Sequence, residues 1–198
     1  KIYLLKIPNS KMTGTVVPDS FYLHMEISFY HMESDNDLID LLSKQLQKAL
    51  PGEEVQYRMA PSYRPLMIKD QIRGQKPRLG GVMLLLYNKP GGLHIVLTQR
   101  KDYNGVHGGQ MSFPGGKKDD TDANLVETAL RETTEEIGID KDKIKVIGRL
   151  TELYIPPSNF LVYPVVGFAE SIENFIPQND EVEKVVEIPL SFFLDRAN

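Results

Sequence analysis

One helix constrains the rest of this chain. Residues 122–137 carry apolar side chains at helical spacing, and Gly138 stands where such a helix ends. At about 100° per residue, Val126, Leu130, Thr133 and Ile137 form one narrow stripe, with Ala129 beside it. Glu132, Glu135 and Glu136 fall together on another arc, roughly 100° wide. The stripe needs an apolar layer to lie on. The three carboxylates repel one another, so something cationic must answer them.

Strands supply the layer. Gly81–Tyr87 is nearly continuously apolar and reads as a buried strand. The turn Asn88-Lys89-Pro90-Gly91-Gly92 leads into a second, antiparallel strand at Leu93–Arg100. Lys101–Gly116 is a long glycine-rich loop. Ile144–Tyr154 and Phe160–Ala169 are further strands joined by Pro156-Pro157-Ser158-Asn159, and Glu183–Ile188 is a short one. Upstream of these, an acidic stretch after Met32 with a Ser or Asp cap starts a helix through Leu38, Ile39, Leu42 and Leu46. Pro51-Gly52 ends it. Residues 57–78 read as a wrapping loop. The order predicts an α/β domain, a mixed sheet with helices on its faces. Its expected extent is residues 32–198, with a closing helix missing. Residues 1–31 stand apart as an N-terminal extension of unclear role, and Met32 could be a natural start.

Composition narrows the function. Of 198 residues, 41% are hydrophobic and 25% charged, which suits a packed globular core. The net charge of −4 gives no general attraction to nucleic acid or an anionic membrane. With no cysteine, disulfides, thiolate catalysis and zinc–thiolate sites are excluded. No apolar run reaches the ~20 residues that span a bilayer. The expectation is a cytoplasmic protein without nucleic-acid or membrane partners, and a homodimer is open to it.

The glutamate arc has two readings. A solvated acidic face answered by Arg131, Lys141 and Lys143 is the usual one for a Glu-Glu pair. The alternative is a divalent cation. Hard cations such as Mg²⁺ take oxygen ligands, commonly one or two carboxylates plus substrate phosphates. The glycine loop just before the helix lets backbone approach a phosphate chain closely, and helix N-termini favour anions. Together these make a place for a metal-bound diphosphate. Hydrolysis there needs metal neutralisation of phosphate oxygens, an aimed water and a base, but no serine or cysteine nucleophile.

The run Arg131-Glu132-Thr133-Thr134-Glu135-Glu136-Ile137-Gly138-Ile139 resembles the second half of the Nudix box. The resemblance implies an α/β/α Nudix sandwich. It also implies Mg²⁺ or Mn²⁺ bound by Glu132, Glu135 and Glu136, and an Arg131 that orients a box carboxylate. Ala123 stands where the box has its first glutamate and Lys117 where it has its glycine, while Asp119, Asp120 and Asp122 are the nearby carboxylates. Leu97-Thr98-Gln99-Arg100, His107 to Gly116, Thr128 to Glu132, and Tyr163 to Gly167 are similar to the coenzyme A pyrophosphatase subgroup. There, many members carry a second loop arginine where this chain has Gly105. The implied substrate is coenzyme A or acyl-coenzyme A, cut to 4′-phosphopantetheine and adenosine 3′,5′-bisphosphate. Another nucleoside diphosphate derivative, such as ADP-ribose or NADH, is the alternative. A silent binding module of the same fold is disfavoured by the intact glutamates. By the same resemblance Glu181 is a further catalytic or metal-directed carboxylate. Arg100, His107, Gln110, Ser112, Gly115 and Gly116 are expected to bind substrate. Arg100 and the neighbouring lysines, Lys101, Lys117 and Lys118, are the expected cations for its 3′-phosphate.

Overall fold

The structure, a computed structural model, describes residues 34–52, 55–56, 76–101, 109–155 and 158–194. The expected extension at 1–31, nearly all of the wrapping loop, and His107 lie outside the described residues. Helix α1 (Asp35–Leu46) is capped by Ser34, whose hydroxyl accepts from the Asp37 amide. Its Ile39, Leu42 and Leu46 pack inward.

Strands β1 (Arg78–Lys89) and β2 (Gly92–Arg100) form the expected antiparallel hairpin, with Leu86 opposite Ile95 and Lys89 opposite Gly92. Gly91 and Gly92 turn it at φ of 101° and 110°, where side chains are disfavoured. Two short strands follow, β3 (Met111–Ser112) on β2 and β4 (Gly115–Lys117) on β1. Helix α2 (Leu125–Ile137) comes next. Then come β5 (Lys145–Arg149), β6 (Leu153–Ile155), β7 (Phe160–Ala169), β8 (Val182–Pro189) and the short α3 (Leu190–Leu194). The stretch expected as one strand at 144–154 is two: Leu150 donates its amide to the Pro164 carbonyl, and pairing with β7 resumes at Leu153.

Among the described residues the strands make one mixed sheet. β1 and β7 run parallel from Arg78–Phe160 to Tyr87–Ala169, and the other pairs are antiparallel. Because side chains alternate, β1 feeds two cores. Met83, Leu85 and Tyr87 meet Ala129, Leu130 and Ile137 of α2 on one face. Leu84 and Leu86 meet Ile39 of α1 and Leu190 of α3 on the other. Burial on both faces explains the unbroken apolar run of β1. The arrangement is the α/β/α sandwich.

One close approach fixes the helix over the sheet. A Cβ on Gly81 would lie 2.4 Å from the Leu125 carbonyl oxygen and 3.0 Å from the Ala129 nitrogen. Only a glycine lets the α2 backbone rest directly on β1. That contact sets the height at which Glu132 and Glu136 meet the Gly115–Gly116 strand, which pairs with β1 at Gly81 and Val82.

Candidate active site

Helix α2 starts at Leu125, three residues after the expected start. Asn124 takes the cap, accepting from the Val126 and Glu127 amides. Gly138 ends it at φ 73°, as its place in the sequence required. The wheel put Glu136 on the polar arc with Glu132 and Glu135, but packing separates the three. Glu136 is 2% exposed, although it is a carboxylate. Its Oε2 accepts from the Gly115 amide at 3.3 Å, and its Oε1 lies 3.8 Å from Arg100 Nη2 at the end of β2. Glu132 presses against Gly116, where a Cβ would come within 2.5–2.6 Å of its carboxylate. Glu135 is half exposed and pairs with Arg131 Nη1 at 2.9 Å.

Arg131 is the hub behind them. Its Nε and Nη2 each lie 3.0 Å from the two oxygens of Asp122, and Nη2 is also 3.0 Å from Glu132 Oε1. Asp122 further accepts from the Thr128 hydroxyl and the Asp119 amide, each at 2.9 Å. Of the three aspartates weighed for the vacant box position, Asp122, one residue before Ala123, binds the arginine at hydrogen-bond distance, and Asp119 reaches the same Nη2 only at 3.8 Å. Hydrogen bonds from Arg131 outweigh burial and hold the Asp122 carboxyl well below the usual carboxylate range. The same contacts hold the Arg131 proton more firmly than usual. The bond from Thr128 to Asp122 could not be read from the sequence, because a threonine in a first helical turn has many uses.

Glu136 and Glu132 behave oppositely. Burial pushes Glu136 up to about 7, with Arg100 and the Gly115 amide pulling it back and the charges of Glu132 and Glu181 adding to the rise. Burial also raises Glu132, against Arg131 and with Glu135 and Glu181. Glu181 therefore shares one negative region with Glu132 and Glu136. Backbone contacts place it there. Gln178 donates to the Glu136 carbonyl, Glu181 to the Gln178 carbonyl, and Lys101 to the Glu181 carbonyl. Among the described residues, no three histidine or acidic side chains already stand in a metal-holding arrangement.

The expected substrate residues cluster only in part. Arg100, Gly115 and Gly116 border the buried Glu136 and the half-buried Glu132. Ser112 sits on β3 with its hydroxyl 3.3 Å from that of Thr98. Gln110 is exposed and its carbonyl accepts from the Arg100 amide. A groove of about 430 Å³ opens beside Arg100, lined also by Gln99, Lys101, Gly109 and Glu183.

A family model for the NUDIX domain matches residues 77–195, the span of the sheet, α2 and the clustered carboxylates. The chain belongs to the NUDIX family. Two relatives extend the comparison. The uncharacterized Nudix hydrolase NudL of Pectobacterium atrosepticum is 36% identical over 135 residues, covering 68% of this chain and 65% of its own. The peroxisomal coenzyme A diphosphatase NUDT7 of Mus musculus is 37% identical over 113 residues, covering 57% of this chain and 48% of its own. The chain thus spans about half to two-thirds of the length of these relatives. Among solved structures, the NUDIX domain of Shewanella oneidensis NrtR with ADP-ribose aligns with a TM-score of 0.48 at 21% identity, over 65% of this chain and 87% of that one. No helix among the described residues is long and apolar enough to cross a membrane.

Proposed function

We propose that this chain is a divalent-metal-dependent diphosphatase acting on coenzyme A or acyl-coenzyme A. The observation that carries the reading is Glu136. A carboxylate this buried, facing one amide and one distant guanidinium, is short of positive charge. Glu132 and Glu181 deepen the deficit, and a divalent cation would relieve it. Oxygen donors from one rigid helix suit Mg²⁺ or Mn²⁺, which take few protein carboxylates and leave positions for phosphate and water.

Glu132 and Glu136 would hold the ion, and Glu135 would join by exchanging its contact with Arg131. The bound ion would neutralise diphosphate oxygens and make a bound water easier to deprotonate. Arg131, locked by Asp122, keeps the Glu132 carboxylate aimed past Gly116. The Gly115–Gly116 backbone lets phosphate lie close, and Arg100 offers a charge-assisted contact to it. Glu181, across from the helix, would take the proton from that water. His107, Gln110 and Ser112 complete the proposed substrate contacts.

Coenzyme A is favoured over other nucleoside diphosphate derivatives by the motif from Leu97 to Gly116 and by the relative named as a coenzyme A diphosphatase. A cysteine-free composition suits a reducing compartment, and we propose the cytoplasm. The test is a Mg²⁺-dependent hydrolysis panel with products separated by chromatography. Coenzyme A should be cleaved to 4′-phosphopantetheine and adenosine 3′,5′-bisphosphate more efficiently than ADP-ribose, NADH or nucleoside triphosphates. A clear preference for ADP-ribose or NADH would replace the substrate while keeping the reaction. No metal-dependent hydrolysis at all would overturn the reading.

A further inference from the structure

The start of β1 carries a second constellation that the chemistry above does not use. The Arg78 guanidinium lies over the Phe160 ring, its carbon 4.5 Å from the ring centre. Nη2 donates to the Ser158 carbonyl at 2.6 Å, which holds the guanidinium in place over the ring. That carbonyl belongs to a constrained turn. Asn159 adopts φ 50°, unusual for a residue other than glycine. Three contacts hold it there: its Oδ1 accepts from the Tyr154 hydroxyl at 2.9 Å, its Nδ2 donates to the Lys76 carbonyl at 3.4 Å, and its own carbonyl accepts from the Arg78 amide at 2.9 Å. A turn fixed by this many contacts holds the Ser158 carbonyl, and with it the Arg78 guanidinium, in one position.

The neighbourhood indicates which ligand. Phe160 packs over Gly80, where a Cβ would lie 3.0 Å from the ring and 2.8 Å from the Gly116 carbonyl oxygen. The ring is thus one residue from the glycines that face Glu132 and Glu136. Gly80 pairs with Lys117 across β1 and β4, and residues paired directly across strands share a face. Arg78, two residues from Gly80, shares that face as well. Lys117 is exposed and, among the described residues, pairs with no carboxylate. Among the described strands β4 pairs only with β1, and on its outer side the Gly115 amide donates to Glu136 and the Lys117 carbonyl accepts from Arg131, so the proposed metal site stands at the edge between the two sheet faces. A planar cation backed by an aromatic ring, with an unpaired ammonium beside it, suits a purine carrying a phosphorylated ribose. Arg100 lies 3.8 Å from Glu136 and serves the diphosphate in the reading above, which leaves Lys117 for a second phosphate.

We propose that Arg78, held over Phe160 by the Ser158 carbonyl, is the stacking platform for the adenine of the substrate, with Lys117 beside it for the 3′-phosphate. This rests on the coenzyme A reading and assigns its nucleotide half to the sheet face opposite α2.

The test is calorimetric titration of the whole chain with adenosine 3′,5′-bisphosphate and, separately, with AMP. Wild type should bind the bisphosphate more tightly than AMP. Arg78→Met keeps an aliphatic side chain on Phe160 but removes the planar cation, and should weaken the bisphosphate by roughly 5- to 150-fold. Arg78→Lys should not restore it, because an ammonium cannot stack. Lys117→Ala should erase the preference for the bisphosphate over AMP. Unchanged melting temperatures confirm that the variants are folded. If Arg78→Met binds like wild type, or if wild type does not bind the bisphosphate at millimolar concentration, the platform is wrong, and the hydrolase reading is still judged on its own panel. Conversely, a protein that binds the bisphosphate through Arg78 yet hydrolyses no nucleotide diphosphate keeps the platform and loses the hydrolase.

Discussion

Arg131 grips Asp122 through two hydrogen bonds of 3.0 Å while also touching Glu132, so one guanidinium joins a buried carboxylate to one of the proposed metal ligands. Asp122→Ala should therefore have two separable effects. Removing one member of a largely buried pair leaves the other poorly solvated, and with Arg131 a quarter exposed the expected loss is about 2–3 kcal/mol. Urea unfolding measures it. The second effect is on metal use. With Arg131 released, Glu132 loses its anchor, and the Mg²⁺ concentration for half-maximal activity should rise. A variant that unfolds early but titrates Mg²⁺ like wild type would show that Arg131 does not position Glu132.

Glu136→Gln should trade stability against turnover. A single lost ligand or base commonly costs on the order of 10²-fold in rate or more. The amide still accepts from Gly115 but carries no charge into a dry site, so the metal-free variant should be at least as stable as wild type at pH 8. Activity above about half of wild type at saturating Mg²⁺ would remove Glu136 from the metal set.

The pH dependence of metal-free stability is set by two carboxylates shifted in opposite directions. Glu136 is pushed up to about 7 in the folded chain from its ordinary 4.5. Between those values the folded state holds a proton that the unfolded state releases. The stability present below about 4.5 is therefore lost as pH rises through about 7. Asp122 acts oppositely: its contribution is present above its ordinary range and is lost as pH falls into the acid. Metal-free melting temperatures should peak in the mildly acidic range. Saturating Mg²⁺ should flatten the decline toward neutrality, because a ligated Glu136 stays ionised. A melting temperature that rises steadily from pH 5 to 8 without metal would contradict the buried, cation-seeking Glu136.

The same contrast between local pattern and tertiary contact shows what the sequence could reveal. β1, β2, β7 and α2 were legible because periodicity and glycine punctuation are local properties. The Arg131-Glu132 and Glu135-Glu136 pairs were legible because their spacing fits one helix. The separate fates of Glu135 and Glu136 were not. A wheel places them on one arc, and only the approach of Gly115 and Arg100 buries one and not the other. Asp122 was visible as one of three nearby aspartates, yet the choice among them depends on how the chain turns into Asn124. The Arg78–Phe160 stack joins residues 82 positions apart through the parallel β1–β7 pairing, and no local pattern announces that register.

Gly81 and Gly116 face each other across β1 and β4, and alanine should affect them differently. At Gly81 the new Cβ would meet backbone, the Leu125 carbonyl at 2.4 Å, so α2 must lift from the sheet. Overpacking of this kind typically costs about 1–3 kcal/mol, and here the backbone has nowhere to move without losing the Ala129 and Leu130 contacts as well. Gly81→Ala should thus lower the melting temperature first and activity as a consequence. At Gly116 the new Cβ meets the end of a side chain, the Glu132 carboxylate at 2.5 Å. That carboxylate can swing aside at small cost to the fold. Gly116→Ala should therefore keep a near-wild-type melting temperature while raising the Mg²⁺ requirement, because the displaced group is the one Arg131 aims. Melting curves and Mg²⁺ titrations on both variants decide it. If Gly116→Ala unfolds as early as Gly81→Ala, Glu132 is locked by packing rather than held in a position it can leave. If it retains both stability and wild-type Mg²⁺ dependence, the carboxylate beside Gly116 is not a ligand.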